Sequence, residues 1–121
     1  MSQKLIGLAV VGAALLSTAS PAVAAPRSTF SLSYTGATTV VRLTCDPTGG
    51  GHPQPARACA SLRRAGADPA KLQAGDSMCI LLYKPVTARL KGTWRGKPVK
   101  WEKTYGNSCE MNRATGVLFD F

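Results

Sequence analysis

Four cysteines, a single histidine and six carboxylates are the first residues of this chain to test for chemistry. Cys45, Cys59, Cys79 and Cys109 contain no C-x-x-C pair, and His52 has no second imidazole to complete a ligand set. Zinc sites are built from closely spaced thiolate and imidazole ligands, so no metal is expected. In an oxidising compartment an even set of cysteines makes disulfides. Three pairings are open, and the sequential one, Cys45 with Cys59 and Cys79 with Cys109, is favoured.

Acid–base or nucleophilic catalysis finds no better footing. Asp46, Asp68, Asp76, Glu102, Glu110 and Asp120 form no close pair within a recognisable motif. His52 stands before Pro53 in a glycine-rich loop, where a histidine more often makes structural hydrogen bonds. A base needs a nucleophile and an orienting partner beside it. A secreted basic nuclease using one histidine and one glutamate is the enzyme that these residues leave open, and their spacing does not favour it. Gly49, Gly50 and Gly51 are not followed by G-K-[ST], so they form no phosphate cradle and no cofactor is expected.

Residues 1–24 have the layout of a secretory signal peptide. A lead with Lys4 precedes an apolar run from Leu5 to Leu16, and Ala22-Val23-Ala24 fits the A-x-A cleavage pattern. That run is shorter than the about 20 residues a spanning helix needs, and no second apolar segment supports a membrane anchor. The expected product is a secreted domain covering residues 25–121. A domain of that size buries a limited core, and secreted ones add covalent staples of about 2–4 kcal/mol each. The formal charge of +9 comes from basic residues scattered along the chain, with no tract of five. Scatter of this kind indicates solvated faces over a specific nucleic-acid stripe, with nonspecific, salt-sensitive attraction to anionic polymers as the residual effect.

These residues need a small α+β scaffold. "TFSLSYTG" and "TTVVRLTC" alternate or are β-branched and predict two strands around Gly36. "DPTGGGHPQPAR" predicts an irregular loop, and "ARACASLRR" a helix stopped by Gly66, with a short turn in "ADPAKL". "VTARLKGTW" and "VKWEKTY" predict a hairpin turning at "RGKP", with Trp94 and Trp101 on its packed face. A carbohydrate-stacking platform is the other use for such tryptophans, but alternation already accounts for them. "NSCEMNRATG" predicts a helical turn and "VLFDF" a final strand. Taken on its own, the apolar run in "SMCILLYKPV" (Ser77 to Val86) predicts a buried strand bounded by turn signals.

The loop around His52 carries the most specific pattern in the chain. "CDPTGGGHPQPARACASL" resembles the signature segment of the Streptomyces subtilisin inhibitor family, through Cys45, Pro47, Gly50, His52, Pro53, Ala58, Cys59, Ala60 and Leu62. The similarity continues through "MCILLYKPV", "GTWRGKPVKWEKTY", "NSCEMN" and "VLFDF", nearly the whole of residues 25–121. The resemblance implies disulfides Cys45–Cys59 and Cys79–Cys109, and a five-stranded antiparallel sheet with two short helices in one stapled domain. It also implies a homodimer formed by sheet faces and a non-enzymatic role in inhibiting serine proteases, subtilisin-like ones foremost and chymotrypsin-like ones second.

By the same resemblance, "MCILLYKP" is an exposed reactive loop with its scissile bond between Leu81 and Leu82. Met78, Cys79, Ile80, Tyr83, Lys84 and Pro85 contact the protease, and Asn107 braces the loop from beneath. This contradicts the buried strand that the apolar run suggests by itself. Two residues depart from the family pattern: Ile80 stands where proline is common, and Lys84 where an acidic residue is common. A secreted basic binding or scaffold protein with a weak or inactive loop is the alternative function.

Overall fold

The computed structural model of the chain describes residues 7–16 and 25–121. Residues 7–16 are exposed and form no regular secondary structure, while both ends of the expected leader, its cleavage motif included, lie outside the described residues. No helix among the described residues is long and apolar enough to cross a membrane.

Five antiparallel strands form one sheet: β1 (Ser28–Tyr34), β2 (Val41–Cys45), β3 (Gly49–Gly50), β4 (Val86–Trp94) and β5 (Lys97–Tyr105), in the spatial order β3-β2-β1-β4-β5. Alternation places β1 at the centre: Phe30 and Leu32 are buried, whereas Ser31 between them is exposed. Leu43 on β2 and Leu90 on β4 flank this pair in register, opposite Phe30 and Leu32 respectively. Each such side chain contributes on the order of 1.5–3 kcal/mol when fully buried. Gly92 is required where β4 meets β1, because a Cβ there would run into the Thr29 carbonyl.

Two helices cover one face of the sheet. Helix α1 (Pro55–Ala65) opens with proline in its first turn and ends at Gly66, whose φ of 59° supplies the left-handed cap. Ala58, Cys59, Leu62 and Ala65 form its buried stripe at helical spacing. Helix α2 (Ser108–Thr115) buries Met111 and is capped by Asn107, whose side chain accepts the Glu110 N–H at 2.8 Å. A 3-10 turn, Pro69–Lys71, supplies the expected break after α1. The disulfide Cys45–Cys59 ties β2 to α1.

Both tryptophans pack as alternation predicts. Trp94 stands 6.1 Å from Phe30 and Trp101 5.8 Å from Phe119, centroid to centroid. Tyr105 follows on the same face, and burial pushes its phenol above the ordinary value.

Two expectations fail. The glycine loop is not wholly irregular: Gly49 and Gly50 pair with Thr44 and Leu43 as β3. Gly50 has a φ of 96°, and any Cβ on it would strike the Arg42 carbonyl, so only glycine permits this pairing. The segment "VLFDF" is not a strand. Leu118 and Asp120 donate their N–H groups locally, to Thr115 and Val117, and Leu118 and Phe119 are buried as consecutive residues. Burial of two successive side chains is incompatible with a one-faced strand, in which neighbours point opposite ways.

His52 is a structural residue of this core. Its Nδ1 accepts the Gln54 N–H at 2.9 Å, which leaves Nε2 protonated and donating to the Leu118 carbonyl at 3.0 Å. The ring, 4 % exposed, thus pins the glycine loop to the C-terminal segment.

Candidate functional site

Residues 72–85 form no regular secondary structure and carry the apolar run to the surface. Leu81 is fully exposed at 104 % and Leu82 half-exposed at 54 %, while Met78, Ile80, Tyr83, Lys84 and Pro85 are exposed as well. A buried strand is therefore the wrong expectation for this run. Its backbone pairs with no strand of the sheet, and it arches over a cleft of about 270 Å³ floored by Gly106, Asn107 and Glu110.

Short-range order within the arch comes from its own backbone. The Leu82 N–H donates to the Ile80 carbonyl at 2.9 Å, closing a three-residue turn with Leu81 at the apex. Leu81 is thereby the most protruding side chain of the segment. Proline at 85 removes a donor and ends the arch where β4 begins.

Every long-range tether of the arch reaches one place, the start and body of α2. The Cys79–Cys109 disulfide joins its N-terminal limb to the first turn of the helix. Asn107 Nδ2 donates to the Leu82 carbonyl at 2.7 Å and lies 3.4 Å from the Ile80 carbonyl. Lys84 donates its N–H to the Gly106 carbonyl at 2.8 Å, and Gly75 donates to the Arg113 carbonyl at 2.8 Å. Asn107 can hold the arch because its oxygen is fixed by the helix cap, which orients the amide nitrogen. At 8 % exposure it is shielded from competing water.

The distribution of these bonds is chemically selective. The carbonyls of Ile80 and Leu82 are both engaged, whereas among the described residues no group donates to the carbonyl of Leu81. An exposed peptide with one free carbonyl between two restrained ones is positioned to accept hydrogen bonds from another protein. Glu110, the carboxylate beside the cleft, is paired with Arg113 at 2.9 Å. No three His, Cys, Asp or Glu side chains converge to hold a metal ion among the described residues.

The sequence brought Met78 to Pro85, Asn107 and the four cysteines into view, and the structure gathers the loop residues with Asn107, Cys79 and Cys109 at one end of the molecule. Cys45 and Cys59 lie elsewhere, as a staple of the core. Gly106 and Arg113 were missed. They act through main-chain carbonyls, which every residue type carries, so no sequence signal marks them.

Comparison with known proteins gives this loop its setting. The subtilisin inhibitor-like family model matches residues 24–107. The chain is 48 % identical over 83 residues to subtilisin inhibitor-like protein 4 of Streptomyces lavendulae, covering 67 % of this chain and 72 % of that one. It is 47 % identical over 83 residues to a trypsin inhibitor of Streptomyces longisporus, covering 67 % and 58 % respectively. Among solved structures, Streptomyces caespitosus sermetstatin in complex with Bacillus licheniformis subtilisin shares the fold, with a TM-score of 0.59, 24 % identity, and coverage of 78 % of this chain and 96 % of that one. A family model matched over more than half of the chain, with relatives at this level of identity and coverage, shows that the chain belongs to the subtilisin inhibitor-like family.

Proposed function

We propose that this protein is a secreted inhibitor of serine proteases that presents residues 78–85 as a tethered substrate, with Leu81–Leu82 as the scissile bond. The observation that carries this reading is an apolar segment, fully exposed at Leu81, whose two neighbouring carbonyls are both held by the body of the domain. An extended segment adds to a protease as a strand, main-chain hydrogen bonds supplying affinity and side chains filling pockets. Leu81 enters the primary specificity pocket and Met78 a distal apolar pocket, while Cys79, Ile80, Tyr83, Lys84 and Pro85 flank the bond.

The protease serine attacks the Leu81 carbonyl carbon, whose oxygen is free to enter the oxyanion hole. Expulsion of the Leu82 amine gives an acyl-enzyme. The amine does not diffuse away, because Asn107 holds the Leu82 carbonyl and Gly106 holds the Lys84 N–H. Cys79, bonded to Cys109, restrains the acyl side. Both fragments remain fixed to α2, so the amine reattacks the ester and restores the peptide. Preorganisation also lowers the ordering cost of binding.

A branched apolar Leu81 suits subtilisin-like pockets first and chymotrypsin-like ones second, and suits trypsin poorly, whose pocket carries an aspartate. The homodimer through sheet faces belongs to the same reading. On this chain the outward face carries Arg42, Lys91 and Lys100, so two copies meeting there oppose like charges, and pairing is favoured by high ionic strength.

Titration of active subtilisin with the oxidised protein, beside Leu81→Lys and reduced samples, tests the proposal. Stoichiometric inhibition, lost on Leu81→Lys and weakened by reduction, is the expected result. A folded, oxidised protein that leaves subtilisin active at micromolar excess overturns it in favour of a scaffold that keeps the fold without the activity.

A further inference from the structure

Two adjoining cavities, of about 380 and 250 Å³, share Ser61, Arg64 and Gly116 and form one trough between α1 and the C-terminal end of α2. Arg57, Ala60, Ser61 and Arg64 follow one another at helical spacing along its α1 wall. Lys71 and Gln73 line it from the 3-10 turn and the segment that follows. The helices cover the sheet face that does not pair in the proposed dimer, so the trough stays open when two copies associate.

The trough gathers cations and donors without an acid. Arg57, Arg64 and Lys71 are exposed, and no Asp or Glu lines either cavity. Among the described residues the ion pairs engage Arg63, Arg89 and Arg113 instead. Arg57 stands in the first turn of α1, where the helix dipole favours an anion and no acidic residue is present. Its guanidinium donates to the side-chain oxygen of Gln54 at 2.8 Å, which leaves the charge unanswered. Ser61 is only 7 % exposed; its Oγ accepts a long bond from Arg64 Nη2 at 3.4 Å, and among the described residues its own proton has no acceptor. Buried hydroxyls are normally satisfied, so this one marks a donor with room for an acceptor from outside.

We propose that the trough binds an acidic, proline-rich segment of another protein in the polyproline II conformation. Arg57 and Arg64, seven residues apart on α1, are separated by about 10 Å along the helix axis. In polyproline II, three residues per turn at about 3.1 Å each bring every third side chain to the same side, about 9 Å apart. Carboxylates three residues apart therefore reach both guanidinium groups, which suit bidentate pairing. Prolines carry carbonyls and no N–H, and such a backbone fits a lining rich in donors, with the Ser61 hydroxyl and the Gln73 amide beside the cations. Ala60, Leu72 and Val117 offer apolar contact to pyrrolidine rings. No aromatic side chain lines the trough, so stacked bases have no platform there.

The probe is the acetylated and amidated hexapeptide Pro-Glu-Pro-Pro-Glu-Pro, titrated into isotope-labelled oxidised protein and followed by amide chemical shifts. The expected result is salt-sensitive binding with shifts confined to Arg57–Arg64, Lys71, Gln73 and Gly116. Arg57→Ser, Arg64→Ser and Lys71→Ser combined should weaken it tenfold or more. A second triple that removes the same charge elsewhere, Arg27→Ser, Lys97→Ser and Lys103→Ser, should bind within about twofold of the unmodified protein; melting curves confirm that both triples fold. The peptide Pro-Pro-Glu-Glu-Pro-Pro, equal in charge but with adjacent glutamates, should bind several-fold more weakly. Shifts spread over all basic surfaces, equal losses in both triples, or equal binding of the two peptides would reduce the effect to bulk charge and overturn the proposal. Tighter binding of inorganic tripolyphosphate than of the first peptide would overturn it too, and assign the trough to phosphate.

Discussion

Asn107 holds Leu82 from beneath: its amide nitrogen lies 2.7 Å from the Leu82 carbonyl oxygen, while its amide oxygen accepts the Glu110 N–H at 2.8 Å. One side chain thus caps α2 and carries the leaving limb of the arch. The two roles separate by substitution. Asn107→Asp keeps the acceptor of the cap and adds a charge favourable at a helix N-terminus, but it loses the donor and faces two carbonyls with a carboxylate. It should melt close to the unmodified protein, inhibit subtilisin at least tenfold more weakly, and be cut faster at Leu81–Leu82. Asn107→Ala should add a stability loss of about 1 kcal/mol. Inhibition constants and mass spectra of the cleaved chain distinguish the cases; an Asn107→Asp variant that inhibits tightly and stays intact removes the brace from the mechanism.

Leu81 makes no contact that the fold needs, being fully exposed. Leu81→Lys should therefore leave the melting temperature unchanged and exchange one target for another. Inhibition of subtilisin falls and tight inhibition of trypsin appears, each by on the order of a hundredfold or more, because a charge enters or leaves a pocket built for its complement. Inhibition of trypsin by the unmodified protein as tight as that of subtilisin would place the specificity residue elsewhere.

Much of this was legible before any coordinates. β4 and β5 showed themselves through alternation that put Trp94 and Trp101 on one face, and α1 through the spacing of Ala58, Leu62 and Ala65. The arch was not legible from its own residues. Ile80 to Tyr83 have the composition of a buried strand, and what keeps them outside is supplied from α2, some 30 residues along the chain through Cys79–Cys109. Only the resemblance to a family, read from the motif around His52, gave the exposed alternative. The charge of the outward sheet face was hidden for a related reason: Arg42, Lys91 and Lys100 are scattered in sequence, and strand register alone sets Lys91 beside Lys100 and Arg42 across Ser31 from Lys91. β3 escaped because two glycines carry no side-chain pattern.

The two disulfides should have separable consequences. Cys45–Cys59 joins β2 to α1 in the core and closes a separation of 14 residues, so Cys45→Ser with Cys59→Ser should cost about 3 kcal/mol of stability in a chain-entropy account. Cys79–Cys109 clamps the arch. Cys79→Ser with Cys109→Ser should preserve the circular dichroism of the sheet while turning the inhibitor into a substrate, cleaved at Leu81–Leu82 with inhibition that fades over time. A clamp variant that inhibits without cleavage would show that hydrogen bonds from Asn107 and Gly106 suffice.

His52→Ala tests whether the histidine serves structure or reaction. Removal leaves the Leu118 carbonyl and the Gln54 N–H without their partner, each at about 1–3 kcal/mol if no water enters. Thermal or urea unfolding should show this loss. Subtilisin inhibition measured well below the lowered melting temperature should be unaltered, since the ring sits in the core beside Phe121 and not beneath the arch. A nuclease or other hydrolase would behave differently, losing turnover with its base.

Ile80 is the position at which this loop can be improved. Its carbonyl accepts from both Leu82 and Asn107, but its own N–H makes no backbone hydrogen bond, so proline there sacrifices no donor. Proline also restricts the residue before it to extended conformations, and that residue, Cys79, is already fixed by its disulfide outside any helix. The gain comes from the unbound ensemble: where the existing backbone is compatible, such a replacement stabilises by about 0.4–1 kcal/mol. Ile80→Pro should therefore tighten subtilisin inhibition by about two- to fivefold at RT of about 0.6 kcal/mol and slow cleavage of Leu81–Leu82. Stopped-flow binding should place the gain in slower dissociation, as it does for most changes at one interface. Weaker inhibition by Ile80→Pro would mean that the isoleucine side chain itself contacts the protease more favourably than a rigid backbone repays, and that this loop achieves order through Asn107 and Cys79–Cys109 without help from its residue 80.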